Sequence, residues 1–120
     1  VVLVADETGL PAVAGVLDLL PPATSIQVVA EVGSDAERQE LPAHPGATVT
    51  WVSRHGAEAG TAPDLLVDAV RALAWTGAHP YVFGGGESRA ITRARRLVRD
   101  ERGCPREAVS LVAYWRSDAT

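Results

Sequence analysis

At 120 residues, 47% of them hydrophobic and 22% charged, the chain fits one small soluble domain with a single core. Its formal net charge of −4 and isoelectric point near 5.3 argue against a nucleic-acid partner, which demands a basic face, and no apolar run approaches the roughly 20 residues of a membrane span. Cys104, the single cysteine, cannot form an internal disulfide, and His44, His55 and His79 are too scattered for a metal site, so a metal-free, cytoplasmic protein is expected.

Residues 1–5 form an apolar, β-branched run without alternation, which predicts a strand buried on both faces of a helix-covered parallel sheet. No basic leader precedes Val1, so the run is read as the start of a segment cut from a longer chain. After Asp6-Glu7-Thr8-Gly9, apolar residues Leu10, Val13, Ala14, Leu17 and Leu20 recur at helical spacing over 10–20. Thr8 offers a cap, Pro11 suits the first turn, and Pro21-Pro22 stops the helix. Strands are predicted at 26–32 and 48–52, joined by a reduced crossover with one helical turn at 34–39 and a loop at 42–46.

The stripe Leu66, Ala69, Val70, Leu73 after Pro63 marks a helix ending near Gly77, and Tyr81-Val82-Phe83 a fourth strand that Gly84-Gly85-Gly86 terminates sharply. A last helix is predicted over 87–102, with Ala90, Ile91, Ala94, Leu97 and Val98 inward and Gly103 just past its end, followed by a fifth strand at 109–114. Strands alternating with helices imply an α/β, Rossmann-like three-layer α/β/α fold with a five-stranded parallel sheet in the order 3-2-1-4-5.

In such a sheet ligands bind beyond the carboxyl ends of the strands where the strand order reverses, here between strands 1 and 4. The loops meeting there are 6–9 and 84–87. Both lead into helices whose N-terminal N–H groups favour an anion such as a pyrophosphate, and glycine at 9 and at 84–86 permits close backbone approach. Neither loop is a dinucleotide fingerprint: the first lacks two glycines, and Arg89 stands where the second needs its third. The glycines equally suit a plain strand-to-helix turn. Asp6 and Glu7 would repel a phosphate unless turned away. Glu31, at the end of strand 2, stands where a carboxylate holds an adenine-ribose 2′-hydroxyl, whereas Arg38 and Arg54 suit a 2′-phosphate, which leaves NADH and NADPH both open.

Val-Ala-Asp-Glu-Thr-Gly-Leu-Pro-Ala at 4–12, Val-Ala-Glu-Val at 29–32, Trp-Val-Ser-Arg at 51–54 and Tyr-Trp-Arg at 114–116 resemble, in order and over essentially the whole chain, the C-terminal domain of siderophore-interacting proteins, which are flavin-dependent ferric-siderophore reductases. The resemblance implies a single ferredoxin reductase-like domain over 1–120 that binds NADPH or NADH. It also implies a preceding β-barrel domain, outside this sequence, that carries FAD. Hydride would pass to the flavin, and electrons then to iron(III) in the siderophore. Glu7-Thr8-Gly9-Leu10-Pro11 is similar to the Gly-Thr-Gly-x-x-Pro turn that takes the pyrophosphate in ferredoxin–NADP reductases, which implies Asp6, Glu7, Thr8 and Gly9 as cofactor contacts.

Gly86-Glu87 matches the family's Ala-Gly-Glu after strand 4, with Gly85 where alanine is usual, and implies Gly85, Gly86 and Glu87, together with Arg54, at the nicotinamide nucleotide. Tyr114, Trp115 and Arg116 match the strand end that faces flavin and siderophore, where an aromatic stacks on a ring and an arginine attracts an anionic chelate; simple packing is the other reading of the two aromatics. Asp118 replaces a usual glycine. No catalytic residue is expected, since the cofactors carry the chemistry.

Arg89, Arg93 and Arg96 share one helix face, with Arg95, Arg99 and Arg102 adjacent; beside Asp100 and Glu101 they read as a solvated face rather than an anion site. Two other function classes fit the fold: a stand-alone nucleotide-binding sensor and a protein-contact module without redox activity.

Overall fold

Val2, Leu3, Val4 and Ala5 make up β1 (Val2–Ala5), in which every side chain is buried, as a non-alternating run requires when both faces of a sheet are covered. In the computed structural model, which describes residues 1–75 and 80–118, β1 lies between β2 (Ile26–Val32) and β4 (Val82–Glu87), while β3 (Ala47–Ser53) and β5 (Val109–Trp115) form the edges. All pairs are parallel and the order is 3-2-1-4-5, as expected. Val2 and Val4 pack with helices α2 (Asp64–Arg71) and α3 (Ser88–Arg96) on one face of the sheet. Leu3 and Ala5 pack with α1 (Leu10–Leu19) on the other. No helix among the described residues is long and apolar enough to cross a membrane.

Three expectations about local structure need correction. The glycines 84–86 do not terminate the fourth strand; they form its second half, with Gly84 paired to Val4 and Gly85 to Ala5. A Cβ on Gly84 would run into the Val4 backbone, so this position is glycine because the neighbouring strand leaves no room for a side chain. Thr8 does not cap α1; Gly9 takes the N-cap position with no side-chain bond, and Pro11 sits in the first turn. The helix predicted over 87–102 is α3 followed by a π-helical turn at Leu97–Glu101, after which Gly103 adopts φ 70°, a left-handed stop. Elsewhere α2 ends at Arg71, and the predicted helix end near Gly77, like His79, lies outside the described residues.

Gly15 is exposed within α1, and a Cβ there meets nothing within 4 Å. Gly15→Ala is therefore expected to raise unfolding stability by about 0.5–1 kcal/mol in urea titration, the cost of glycine in a helix interior.

Candidate functional site

Asp6 follows β1 directly and is only 3% exposed. Its carboxylate accepts four hydrogen bonds. Oδ1 takes the Thr8 N–H (2.9 Å) and the Thr8 hydroxyl, while Oδ2 takes the Glu87 N–H (2.9 Å) and the Trp115 indole N–H (3.0 Å). One side chain thereby joins the ends of β1, β4 and β5. A Cβ on Gly86 would stand 2.8 Å from Asp6 Oδ2, so the glycine makes room for this carboxylate.

Glu87, also buried, is the N-cap of α3. Its Oε2 accepts from the N–H groups of Arg89 (2.9 Å) and Ala90 (3.1 Å), and its Oε1 from that of Ser117 (3.2 Å). Burial opposes its ionisation, but the Ala90, Ser117 and Arg89 N–H groups and the Arg89 charge outweigh it and hold the carboxyl below its ordinary range. At the start of α1 the N–H groups of Gly9 (3.0 Å) and Leu10 (3.2 Å) both donate to the Asp6 carbonyl, and Pro11 has none to give. The two loops at the switch point thus direct these N-terminal donors at the protein's own oxygens.

Arg54, beyond β3, has a side chain 4% exposed that serves three oxygen-bearing partners. It pairs with both oxygens of Glu7 (Nη1–Oε1 2.9 Å), with Glu31 Oε2 (2.7 Å), and through Nε with the Ala57 carbonyl (3.1 Å). The Arg54 hydrogen bond holds the Glu7 carboxyl below its ordinary range, against burial. Burial pushes the deeper Glu31 up, only partly offset by Arg54. The two carboxylates surround the guanidinium and raise its own pKa. Glu31 and Arg54, which in sequence suit alternative groups at the same ribose 2′ position, a hydroxyl and a phosphate, are therefore each other's partners here, and Arg38 lies in an exposed pair with Asp35 (3.1 Å).

The β4–β5 register runs Gly86 to Ala113 and then Glu87 to Trp115, so Tyr114 is an extra residue, a bulge. A bulge re-aims side chains. The Tyr114 ring lies against Gly85, where a Cβ would come within 2.7 Å of ring carbons, while Trp115 turns to Asp6 and to the loop at Gly60. Val112 pairs with Gly85, and Gly85 with Ala5, which faces α1; on that side Val112 and Tyr114 remain 47% and 45% exposed.

The arginines of the last helix are more than a solvated face. Arg89 donates to the Gly60 carbonyl (2.7 Å), Arg93 pairs with Asp64 (2.7 Å), Arg95 donates to the Leu111 carbonyl, and Arg102 donates to the Arg71 carbonyl (2.7 Å) and stacks 5.0 Å from the Trp75 ring centre. They fasten α3 and its extension to α2 and β5. Arg116, exposed after β5, borders a cleft along α3 with Ser88, Thr92 and Arg96. Sequence reasoning passed over the two hydroxyls, although the spacing Ser88, Thr92, Arg96 places them on one helical face. Cys104 is buried, and burial pushes its thiol up despite the Arg102 charge, the opposite of what activates a nucleophilic cysteine.

Residues 1–118 match the family of siderophore-interacting proteins. Among solved structures, a siderophore utilization protein from T. fusca is 41% identical with a TM-score of 0.88, the match covering 99% of this chain and 45% of that one. The siderophore-interacting protein SipS from Aeromonas hydrophila is 30% identical with a TM-score of 0.80, covering 96% of this chain and 50% of that one. An uncharacterised protein of Mycobacterium tuberculosis strain H37Rv is 34% identical over 98% of this chain and 44% of that protein, so the chain spans about half the length of the relatives it matches. The match to the family model over residues 1–118, on a fold shared with these solved structures, shows that the chain belongs to the siderophore-interacting protein family.

Proposed function

We propose that this domain is the NAD(P)H-binding half of a flavin-dependent ferric-siderophore reductase, with FAD held mainly by a β-barrel domain in the half of its relatives that it does not cover. The observation that carries this reading is the contact of the Tyr114 ring with Gly85. At the carboxyl ends of β4 and β5 a stretch of strand without a Cβ accepts an aromatic ring, and that ring is half-exposed on a bulge. A nicotinamide ring fits the same surface once Tyr114 swings away. When bound, the nicotinamide supplies a hydride for the flavin, whose electrons reduce iron(III) in the siderophore.

The chain's own residues contribute position. Asp6 and Glu87 lock the ends of β1, β4, β5 and α3 to one another, so Gly85 and Tyr114 are presented from a rigid base. Exposed Val112 and Tyr114 give the flavin domain an apolar surface to cover.

The test is calorimetric titration with NADPH and NADH, using the chain and its Tyr114→Ser variant, with and without the flavin domain of a full-length relative. Weak binding that strengthens about tenfold or more with the flavin domain is expected, because each domain supplies one wall of the cleft. Tyr114→Ser is expected to bind several-fold more tightly, since no ring has to be displaced. Tight binding by the chain alone, indifferent to the flavin domain, would favour a sensor; no binding in any combination would favour a contact module.

A further inference from the structure

The sheet has two edges, β3 and β5, and only β5 is protected. β5 carries the bulge at Tyr114, and the Arg95 guanidinium occupies its Leu111 carbonyl; a bulge or a charged side chain on an edge discourages further pairing. β3 reads Ala-Thr-Val-Thr-Trp-Val-Ser, with no charge, no proline and no break in its register with β2, and no Asp, Glu, Lys or Arg stands between Leu41 and Ser53. The Ile26 N–H donates to the Gly46 carbonyl (2.9 Å) and the Arg54 N–H to the Val32 carbonyl (3.0 Å), so the backbone groups of Thr48, Thr50 and Val52 are the ones that face β2. Those of Val49 and Trp51 point outward, and no hydrogen bond meets them among the described residues. One face beside this edge is also short of cover. The crossover from β2 to β3 contains only a short 3-10 turn, Asp35–Glu37, where a right-handed crossover helix would lie next to α1. In its place is an open groove of about 340 Å³ whose walls include Leu17, Leu41, Pro42, Ala47, Val49 and Trp51.

We propose that β3 is a self-association interface, at which the β3 strands of two copies pair antiparallel about a two-fold axis through Thr50 and join the two sheets into one. The occupant is a second copy because the edge is complementary to itself: two identical strands turned antiparallel set outward donors against outward acceptors. With Thr50 on the axis the whole strand pairs, Ala47 with the partner's Ser53 and Val49 with the partner's Trp51, and the outward groups of Val49 and Trp51 exchange hydrogen bonds. Thr50, exposed, then faces its own counterpart in a non-hydrogen-bonded pair, the closer kind, where two threonine hydroxyls bond across. The axis is perpendicular to the sheet, so both grooves open on the same face and each Trp51 packs beside the partner's Val49. Charge permits the approach. Each copy carries a net charge of −4, but the stretch that meets its counterpart holds no ionised side chain. A strand about 23 Å long with these apolar neighbours gives an interface at the small end of the ~1,200–2,000 Å² that stable complexes bury, which corresponds to a dissociation constant on the order of 1–100 μM. Val112 and Tyr114, the surface proposed for the flavin domain, lie at the opposite edge beyond β2, β1 and β4. Both surfaces are therefore usable at once, and the dimer stands or falls independently of nicotinamide binding.

Sedimentation velocity across about 1 μM to 1 mM is expected to show a monomer–dimer equilibrium. Thr50→Lys and Thr50→Glu each set like charges against one another at the axis, and each is expected to weaken the dimer about fivefold or more. Mixed in equal amounts, the two variants are expected to recover it, because opposite charges then meet across the axis. Ser110→Lys adds the same charge to an exposed position of β5 and is expected to change dimerisation less than about twofold. Thr50 and Ser110 are both exposed, so unfolding midpoints should stay in place for all three variants. Adding the flavin domain of a full-length relative is expected to leave the dimer intact. A monomer throughout the range, a dimer that Ser110→Lys dissolves and Thr50→Lys does not, no recovery on mixing, or dissolution by the flavin domain would overturn the proposal.

Discussion

Asp6→Ala is expected to lower the unfolding free energy by about 3–5 kcal/mol and the midpoint temperature by on the order of 10–20 °C. The carboxylate is buried, so its four partners have no water to replace it: the Thr8 N–H and hydroxyl, the Glu87 N–H and the Trp115 indole N–H. Bonds to a charged acceptor each contribute about 1.5–3 kcal/mol, and a buried donor left unpaired costs about 1–3 kcal/mol. The losses share one network and do not add fully. Asp6→Asn is expected to do little better, because an amide offers two donor hydrogens where two more acceptors are needed. Urea unfolding followed by tryptophan fluorescence checks both the stability and the environment of Trp115. A loss below about 1 kcal/mol for Asp6→Ala would mean that the three strand ends are held by something other than this carboxylate.

The strand order was legible because both of its determinants are local. Apolar runs without alternation call for a covered parallel sheet, and helices between them impose right-handed crossovers. What escaped sequence reasoning depends on contacts between distant residues. Gly84-Gly85-Gly86 reads as a stop because glycine favours turns, yet here it answers the approach of Val4, of the Tyr114 ring and of the Asp6 carboxylate. Thr8 reads as a cap because helix-start threonines usually are, but a carboxylate two residues back is the stronger acceptor for its hydroxyl. A bulge adds one residue without changing composition, so nothing local in Tyr-Trp-Arg reveals that Tyr114 and Trp115 diverge. The resemblance singled out Asp6, Glu87 and Tyr114, and the structure separates them into two buried joints and one exposed ring. Arg54, Glu7 and Glu31 were each visible as charges near the strand ends, but their mutual pairing spans 47 and 23 residues and emerges only with the fold.

That triad carries the second large effect. Arg54→Met is expected to cost about 3–5 kcal/mol near neutral pH, because it leaves Glu31, with a side chain 7% exposed, as a buried charge without its counter-ion. The deficit should shrink as the pH falls. Glu31 already has a folded pKa raised by burial, so its charged form destabilises the fold above that value, and protonation relieves the penalty; without Arg54 its pKa rises further and the relief begins at higher pH. Glu7 has the opposite sign. Its folded pKa is lowered by Arg54, so it stabilises the wild type above the ordinary carboxylate range, and this contribution is lost in acid as the pH falls through the lowered value. Both residues therefore make the difference between wild type and variant largest near neutral pH and smaller near about pH 4, where ordinary carboxylates titrate. Urea titrations at the two pH values measure it directly. Arg54→Met combined with Glu31→Gln should recover a substantial part of the loss at neutral pH, because the double variant buries no unpaired charge. A deficit independent of pH, and unrelieved by Glu31→Gln, would mean that Arg54 stabilises the fold through the packing of its stem and its bond to Ala57 and not through the two carboxylates.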